Sequence, residues 1–101
     1  MSYRIRFTLQ AEDDSLRMFD SLLEQDVDVA ARAEIAINKG VEVLDLFPFS
    51  CRKAGDGHEN PFLRELLIPF GVEGYVVLFE IEGRDVVTII AVRHQREADY
   101  H

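Results

Sequence analysis

The side chains best suited to chemistry gather near the end of the chain, where an apolar run stops at Arg93-His94-Gln95-Arg96-Glu97-Ala98-Asp99-Tyr100. Histidine is the side chain whose ordinary pKa best suits acid–base work near neutral pH. The arginines beside it supply fixed positive charge, and the tyrosine ring offers a stacking surface. A further arginine, Arg64, opens an earlier apolar run and shares an alternating face with Leu66 and Ile68. Each of these residues also has a plainer reading. His94 reads as a strand-terminal imidazole bonded to backbone, and Arg64 as half of a cross-strand ion pair with Glu80. Tyr100 reads as a ring folded back over a sheet edge, and Arg96 with Glu97 as a solvated pair on a final helical turn. His58 falls in a Gly-rich loop and His101 ends the chain, so the histidines and carboxylates show no metal-ligand spacing. Neither a metal nor another cofactor is expected.

The elements that must position these residues are legible in the pattern. Tyr75–Ile81 and Val86–Val92 are apolar, rich in β-branched and aromatic residues, and parted only by Glu82-Gly83-Arg84-Asp85, which predicts a hairpin. Both alternating faces of these runs are largely apolar, so the two strands belong in the middle of a sheet. Phe62–Ile68, after Pro61, predicts the strand before them. Near the N-terminus, Ser2–Leu9 alternates Tyr3, Ile5, Phe7 and Leu9 with Arg4, Arg6 and Thr8, a half-buried strand with its arginines turned outward. Asp13 or Asp14 is the expected cap of a first helix on the line Leu16, Phe19, Leu22 and Leu23, running to about Gln25. Asp26 or Asp28 would cap a second helix on the line Ala30, Ala33, Ile37, Val41 and Leu44, ended by Pro48. Two to four residues separate the helices, which makes them an antiparallel hairpin. Cys51–Asn60 has two glycines and no periodicity and reads as a loop. The expected fold is α+β, βααβββ, with the hairpin packed on one face of an antiparallel sheet and the other face open, in one domain spanning 1–101.

Composition narrows the function classes. The 101 residues are 48% hydrophobic and carry 11 basic against 19 acidic side chains, a net of −8. A general electrostatic grip on nucleic acid is excluded at that balance, because phosphate binding needs concentrated positive charge. The N-terminus lacks the apolar core of a signal peptide, and no apolar run approaches the ~20 residues of a membrane helix. A cytoplasmic location away from the membrane is therefore expected. The single Cys51 excludes an internal disulfide and is read as a packing residue.

The predicted βααβββ order, Arg64-Glu65-Leu66 at a strand entry, Gly74-Tyr75 at the next, and Val92-Arg93-His94-Gln95-Arg96-Glu97 before Tyr100 together resemble the RelE/ParE superfamily. These are bacterial toxins of type II toxin–antitoxin systems, some described as plasmid stabilisation proteins. The resemblance implies a growth inhibitor neutralised by a cognate antitoxin, whose folding segment would cover the open sheet face or the helical hairpin. It further implies a hetero-oligomer with the antitoxin and no direct DNA binding by the toxin alone. Two activities follow from it. A RelE-like toxin is a ribosome-dependent mRNA endoribonuclease, with Arg64 and Arg93 as cations, His94 as acid or base, and Tyr100 stacking on a base. A ParE-like toxin poisons DNA gyrase without cutting nucleic acid. The net negative charge, the mixed-sign tail and the long hairpin favour ParE, while a catalytically inactive member that only binds antitoxin is the remaining alternative. Arg4, Arg6, Arg52, Lys53 and Arg96 are the candidates for contact with target or antitoxin.

Overall fold

The computed structural model describes residues 2–55, 60–72 and 74–95. A short first strand, β1 (Arg4–Phe7), leads into α1 (Leu9–Gln25) and α2 (Val27–Leu46), then a 3-10 turn at Pro48–Ser50. Strands β2 (Arg52–Lys53), β3 (Leu63–Ile68), β4 (Tyr75–Glu82) and β5 (Val86–His94) follow. The five strands form one sheet in the order β1-β5-β4-β3-β2. All neighbours pair antiparallel except β1, which runs parallel to β5 at the sheet edge. The α+β layering, the helical hairpin and the β3-β4-β5 meander are as the sequence predicts.

The two central strands carry the core. Tyr75, Val77, Phe79 and Ile81 of β4 meet Val87, Ile89 and Val92 of β5 beneath the helices, with Ala11, Ala33 and Leu44 from above. Removing a side chain such as Phe79 wholly from water, as here, stabilises by about 1.5–3 kcal/mol. The predicted line of α2 is inward: Ala30, Ala33 and Leu44 are buried, and Ile37 and Val41 half-buried. Gly40 lets α2 approach β3, since a Cβ there would meet Ile68 Cδ1 at 2.8 Å.

Four expectations change. α1 starts earlier, capped by Thr8, whose Oγ1 accepts from Ala11 N–H at 3.1 Å; Asp13 and Asp14 lie inside the helix. Leu9 thus belongs to α1 and not to the strand. The inward line of α1 is Ala11, Met18 and Leu22, while Leu16 and Leu23 face solvent, because the earlier start and the docking on β5 fix a different rotation. One residue, Asp26, joins the helices: its N–H bonds Leu22 O and its carboxylate accepts from Asp28 N–H. The segment read as a loop contains β2, which adds to the free edge of β3 with Arg52 opposite Glu65 and Lys53 opposite Arg64. Two residues are too few to leave a period in the sequence.

Gly74 marks a close approach that no other residue tolerates. Its φ is +120°, and a Cβ there would run into Ile68 O and crowd Phe70 N at 3.0 Å. Gly74→Ala is expected to lose about 1–3 kcal/mol of unfolding free energy in urea denaturation, the usual cost of a strained backbone position.

Candidate functional site

The end of β5, the β3–β4 turn and one flank of α1, from Gln10 to Gln25, bound a cleft of about 1040 Å³. Its position follows from a mismatch in length. β1 covers β5 only as far as Ile89, so β5 runs on to His94 with an unpaired edge. A β-bulge at Ile90 (Leu78 faces Ala91, Phe79 faces Ile89) accompanies that change. Thr8 closes the first part of the edge, donating its N–H to Ile89 O at 3.0 Å and its hydroxyl to Ile90 O at 3.1 Å. Asp14, almost two turns into α1, closes the next: its Oδ2 accepts the Val92 N–H at 3.1 Å.

Asp14 is a residue that sequence reasoning missed. Burial pushes its carboxyl up, but hydrogen bonds from Gln10, the Val92 N–H and Arg17, with the charge of Arg17, more than offset this, and the pKa lies below its ordinary value. Gln10 Nε2 and Arg17 Nη2 both reach its Oδ1 at 2.8 Å, and Arg17 Nε also pairs with Asp13 at 3.2 Å. The carboxylate is therefore ionised and already engaged on both oxygens, which makes it a positioning group and a poor general base. Its spacing in the sequence reads equally well as a helix start, so no local signal distinguishes it.

Opposite α1 stands an aromatic wall. Phe70 stacks on Tyr75 at 5.9 Å, and Tyr75 meets the His94 ring edge-on at 5.8 Å, as its register partner on β5. Burial pushes the Tyr75 phenol up, so it stays protonated at neutral pH. Arg93, exposed, lines the cleft beside His94. An aromatic wall with a mixed-charge lip suits a peptide or protein segment.

Arg93 and His94 both line the cleft, but as strand neighbours they point to opposite faces, and Arg64 lies elsewhere. Arg64 lies opposite Phe79 and so on the helix side of the sheet, whereas Arg93 lies opposite Val76 on the helix-free side. The Arg64 guanidinium donates to Pro61 O, Phe49 O and Cys51 O at 2.9, 3.1 and 2.9 Å and sits 5.2 Å over the Phe49 ring. The expected ion pair with Glu80 is replaced by this clasp, and Glu80 accepts instead from Asn60 Nδ2 at 2.7 Å. A planar guanidinium can serve several carbonyls at once, and the strand entry places it below the 3-10 turn. Nearby, burial raises the pKa of Cys51 against the hydrogen bond of Ser50 and the charge of Arg64, which keeps the thiol protonated.

Of the contact candidates, Arg4, Arg6 and Arg52 share the helix-free face with Arg93; Arg4 and Arg6 lie on one edge strand and Arg52 on the other. Arg52 pairs with Glu65 at 3.0 Å, and exposed Lys53 points to the helix side opposite Arg64. Arg96 and Tyr100 lie outside the described residues. Among the described residues no helix is long and apolar enough to cross a membrane.

A helical hairpin on one face of a five-stranded sheet, in βααβββ order apart from the two-residue β2, agrees with the RelE/ParE resemblance of the sequence. Residues 5–99 match the family described as "ParE toxin of type II toxin-antitoxin system, parDE", and the chain belongs to that family. It is 29% identical over 86 residues to Toxin RelE1 of Caulobacter vibrioides, across 85% of this chain and 87% of that protein. It also superposes, with a TM-score of 0.68, on a chain of the chromosomal ParDE TA system from P. aeruginosa. That match covers 91% of this chain and 95% of the other at 17% identity, a likeness of fold. A toxin of a toxin–antitoxin system implies an antitoxin partner.

Two outcomes are expected of this geometry. Asp14→Ala strands the buried Val92 N–H and should cost about 1–3 kcal/mol at pH 7 in urea denaturation. Because the folded pKa of Asp14 lies below the unfolded value, its stabilisation is full above the ordinary carboxylate range near ~3.9 and is lost as pH falls through the lowered value. The gap between wild type and Asp14→Ala should therefore narrow on acidification. Arg64→Ala should lower stability by about 1–3 kcal/mol, and Arg64→Lys should restore only part of it, since one ammonium cannot span three carbonyls.

Proposed function

We propose that this toxin is ParE-like: it inhibits growth by binding DNA gyrase, without cutting RNA, and is held inactive in a hetero-oligomer with an antitoxin in the bacterial cytoplasm. The observation that carries this reading is the commitment of Arg64. A ribonuclease of this shape needs a cation for the developing phosphorane charge and a base for the 2′-hydroxyl, within reach of one phosphate. Arg64 is taken up by backbone carbonyls at the entry of β3, Arg93 points to the helix-free side, and His94, opposite Tyr75, turns to the helix side at the far end of β5. Charge supports the same reading. The helices, residues 9–46, hold ten acidic and three basic side chains, a surface that opposes approach to ribosomal RNA.

A second reading rests on the similarity to Toxin RelE1. Under it the toxin cleaves mRNA on the ribosome, with Arg93 as the cation and His94 as acid or base. The two readings separate in one experiment: brief induction without antitoxin, RNA 5′-end mapping, and a supercoiling assay with purified gyrase. Intact mRNA, filamenting cells, inhibited gyrase and undiminished toxicity of His94→Ala are expected. New cuts at ribosome-positioned sites in coding regions, with toxicity lost in His94→Ala and Arg93→Ala, would replace gyrase with mRNA. Normal growth with abundant soluble protein would leave antitoxin binding as the remaining activity.

A further inference from the structure

Three phenylalanines stand in solvent where the helices hand over to the sheet. Phe47, Phe49 and Phe62 are 63%, 49% and 48% exposed, and they frame the 3-10 turn and the start of β3. A surface turn is ordinarily built from polar residues, yet only Ser50 is polar in 47–50. Pro48 is the buried member of that group. It anchors the turn to the core and leaves the rings outside.

All three residues are held firmly. Phe47 donates its N–H to Val43 O at 2.7 Å, and its carbonyl accepts from Ser50 N–H at 3.1 Å and Ser50 Oγ at 2.6 Å. Arg64 Nη1 donates to Phe49 O at 3.1 Å while the guanidinium lies 5.2 Å over the Phe49 ring. Phe62 donates its N–H to Asn60 Oδ1 at 2.9 Å, and its carbonyl accepts from Ile81 N–H at 2.9 Å. The Phe49 and Phe62 rings meet edge to face at 6.2 Å. With the backbone fixed at each position, docking the rings orders little that is not already ordered.

Area and charge narrow what covers them. A buried phenylalanine removes about 150–250 Å² from water, so these exposures leave roughly 250–400 Å² of aromatic surface. That is well short of the ~800 Å² on each side of a stable interface, and it suits the anchor cluster at the centre of one. A second copy of this chain is the wrong occupant. Exposed Lys53 lies opposite Arg64 on the same side of the sheet as the Phe49 ring, and about a two-fold axis this cationic pair would meet itself. Among the described residues Lys53 makes no ion pair. A segment that folds as it binds moulds itself to its host, whereas fixed projecting rings fit a pocket already formed in a folded protein.

We infer that Phe47, Phe49 and Phe62 are the toxin's anchors on gyrase, seated in an apolar pocket of that enzyme with a carboxylate over Lys53. The inference rests on the gyrase reading and names the surface that makes the contact.

The test titrates the full-length toxin into a supercoiling assay with purified gyrase. Phe47→Ala, Phe49→Ala and Lys53→Glu should each raise the half-inhibiting concentration about tenfold, the loss expected for an interface anchor. Arg84→Glu, a charge reversal of the same size in the β4–β5 turn, should leave it unchanged. All four side chains are exposed, so circular dichroism should show an unaltered fold; Phe47→Ala and Lys53→Glu keep the test decisive if Phe49→Ala does not fold. Wild-type inhibition undiminished in the variants would overturn the anchors and leave the gyrase reading standing. A wild type that leaves gyrase active would remove that reading and the inference with it. Variants that still inhibit gyrase but no longer bind the purified antitoxin encoded beside the toxin would assign the rings to the antitoxin and overturn the inference. Self-association of the toxin alone, abolished by Phe47→Ala, would assign them to a second copy and overturn it likewise. An equal loss in Arg84→Glu would overturn the ionic contact at Lys53.

Discussion

An unpaired strand edge has to be satisfied, and this fold is arranged around one such edge. β5 is nine residues long and β1 only four, so the parallel pairing ends while β5 continues. The exposed carbonyls and N–H that remain would each cost free energy if buried without partners. Thr8 and Asp14 meet that demand from α1, one at the helix cap and one inside the helix. The same contacts fix how α1 rotates about its axis. That rotation turns Ala11, Met18 and Leu22 inward and Leu9, Leu16 and Leu23 outward. The cleft and the outward leucines are thus two consequences of a single length mismatch.

Charge is divided between the layers. The helical segment 9–46 holds ten acidic and three basic residues, whereas the rest of the chain is nearly balanced, with eight basic and nine acidic, and Arg4, Arg6, Arg52 and Arg93 lie on the helix-free face of the sheet. The net charge of −8 therefore sits almost wholly on the helical segment. A polarised surface of this kind orients a partner before contact, since opposite fields steer approach and like fields reject it. For a toxin whose target and antitoxin must both find it, the two faces offer chemically distinct surfaces.

Arg64 illustrates how a residue with functional character can be taken over by structure. The 3-10 turn and the β2 entry leave three carbonyls converging near the start of β3, and one guanidinium satisfies them together. Charge-assisted bonds to backbone are stronger than neutral ones, and the Phe49 ring covers the remaining face of the cation. Arginine there supports the segment that carries Cys51 and the edge strand β2. The polar side chains beside the cleft behave similarly: Asp14 and Arg17 hold one another and the β5 backbone.

The sequence by itself determined the layer plan, because periodicity is a local property. Alternation in Tyr75–Ile81 and Val86–Val92, and the stripe Ala30, Ala33, Ile37, Val41 and Leu44, specify central strands and a half-buried helix regardless of what they pack against. It also set Arg93 beside His94 at a strand end, although strand neighbours turn their side chains to opposite faces. Tertiary structure decided everything that depends on contacts between distant segments. Whether Leu16 faces core or solvent depends on where α1 starts, and that was set by Thr8 reaching Ile90 O, 82 positions away. The role of Asp14 depends on an N–H 78 positions away, and that of Arg64 on carbonyls that only the folded turn assembles. The parallel placement of β1 left no local mark either, because its pattern of alternating arginines would suit any half-covered edge strand. Helical and strand periods record which face is apolar; only the folded chain records what each face meets.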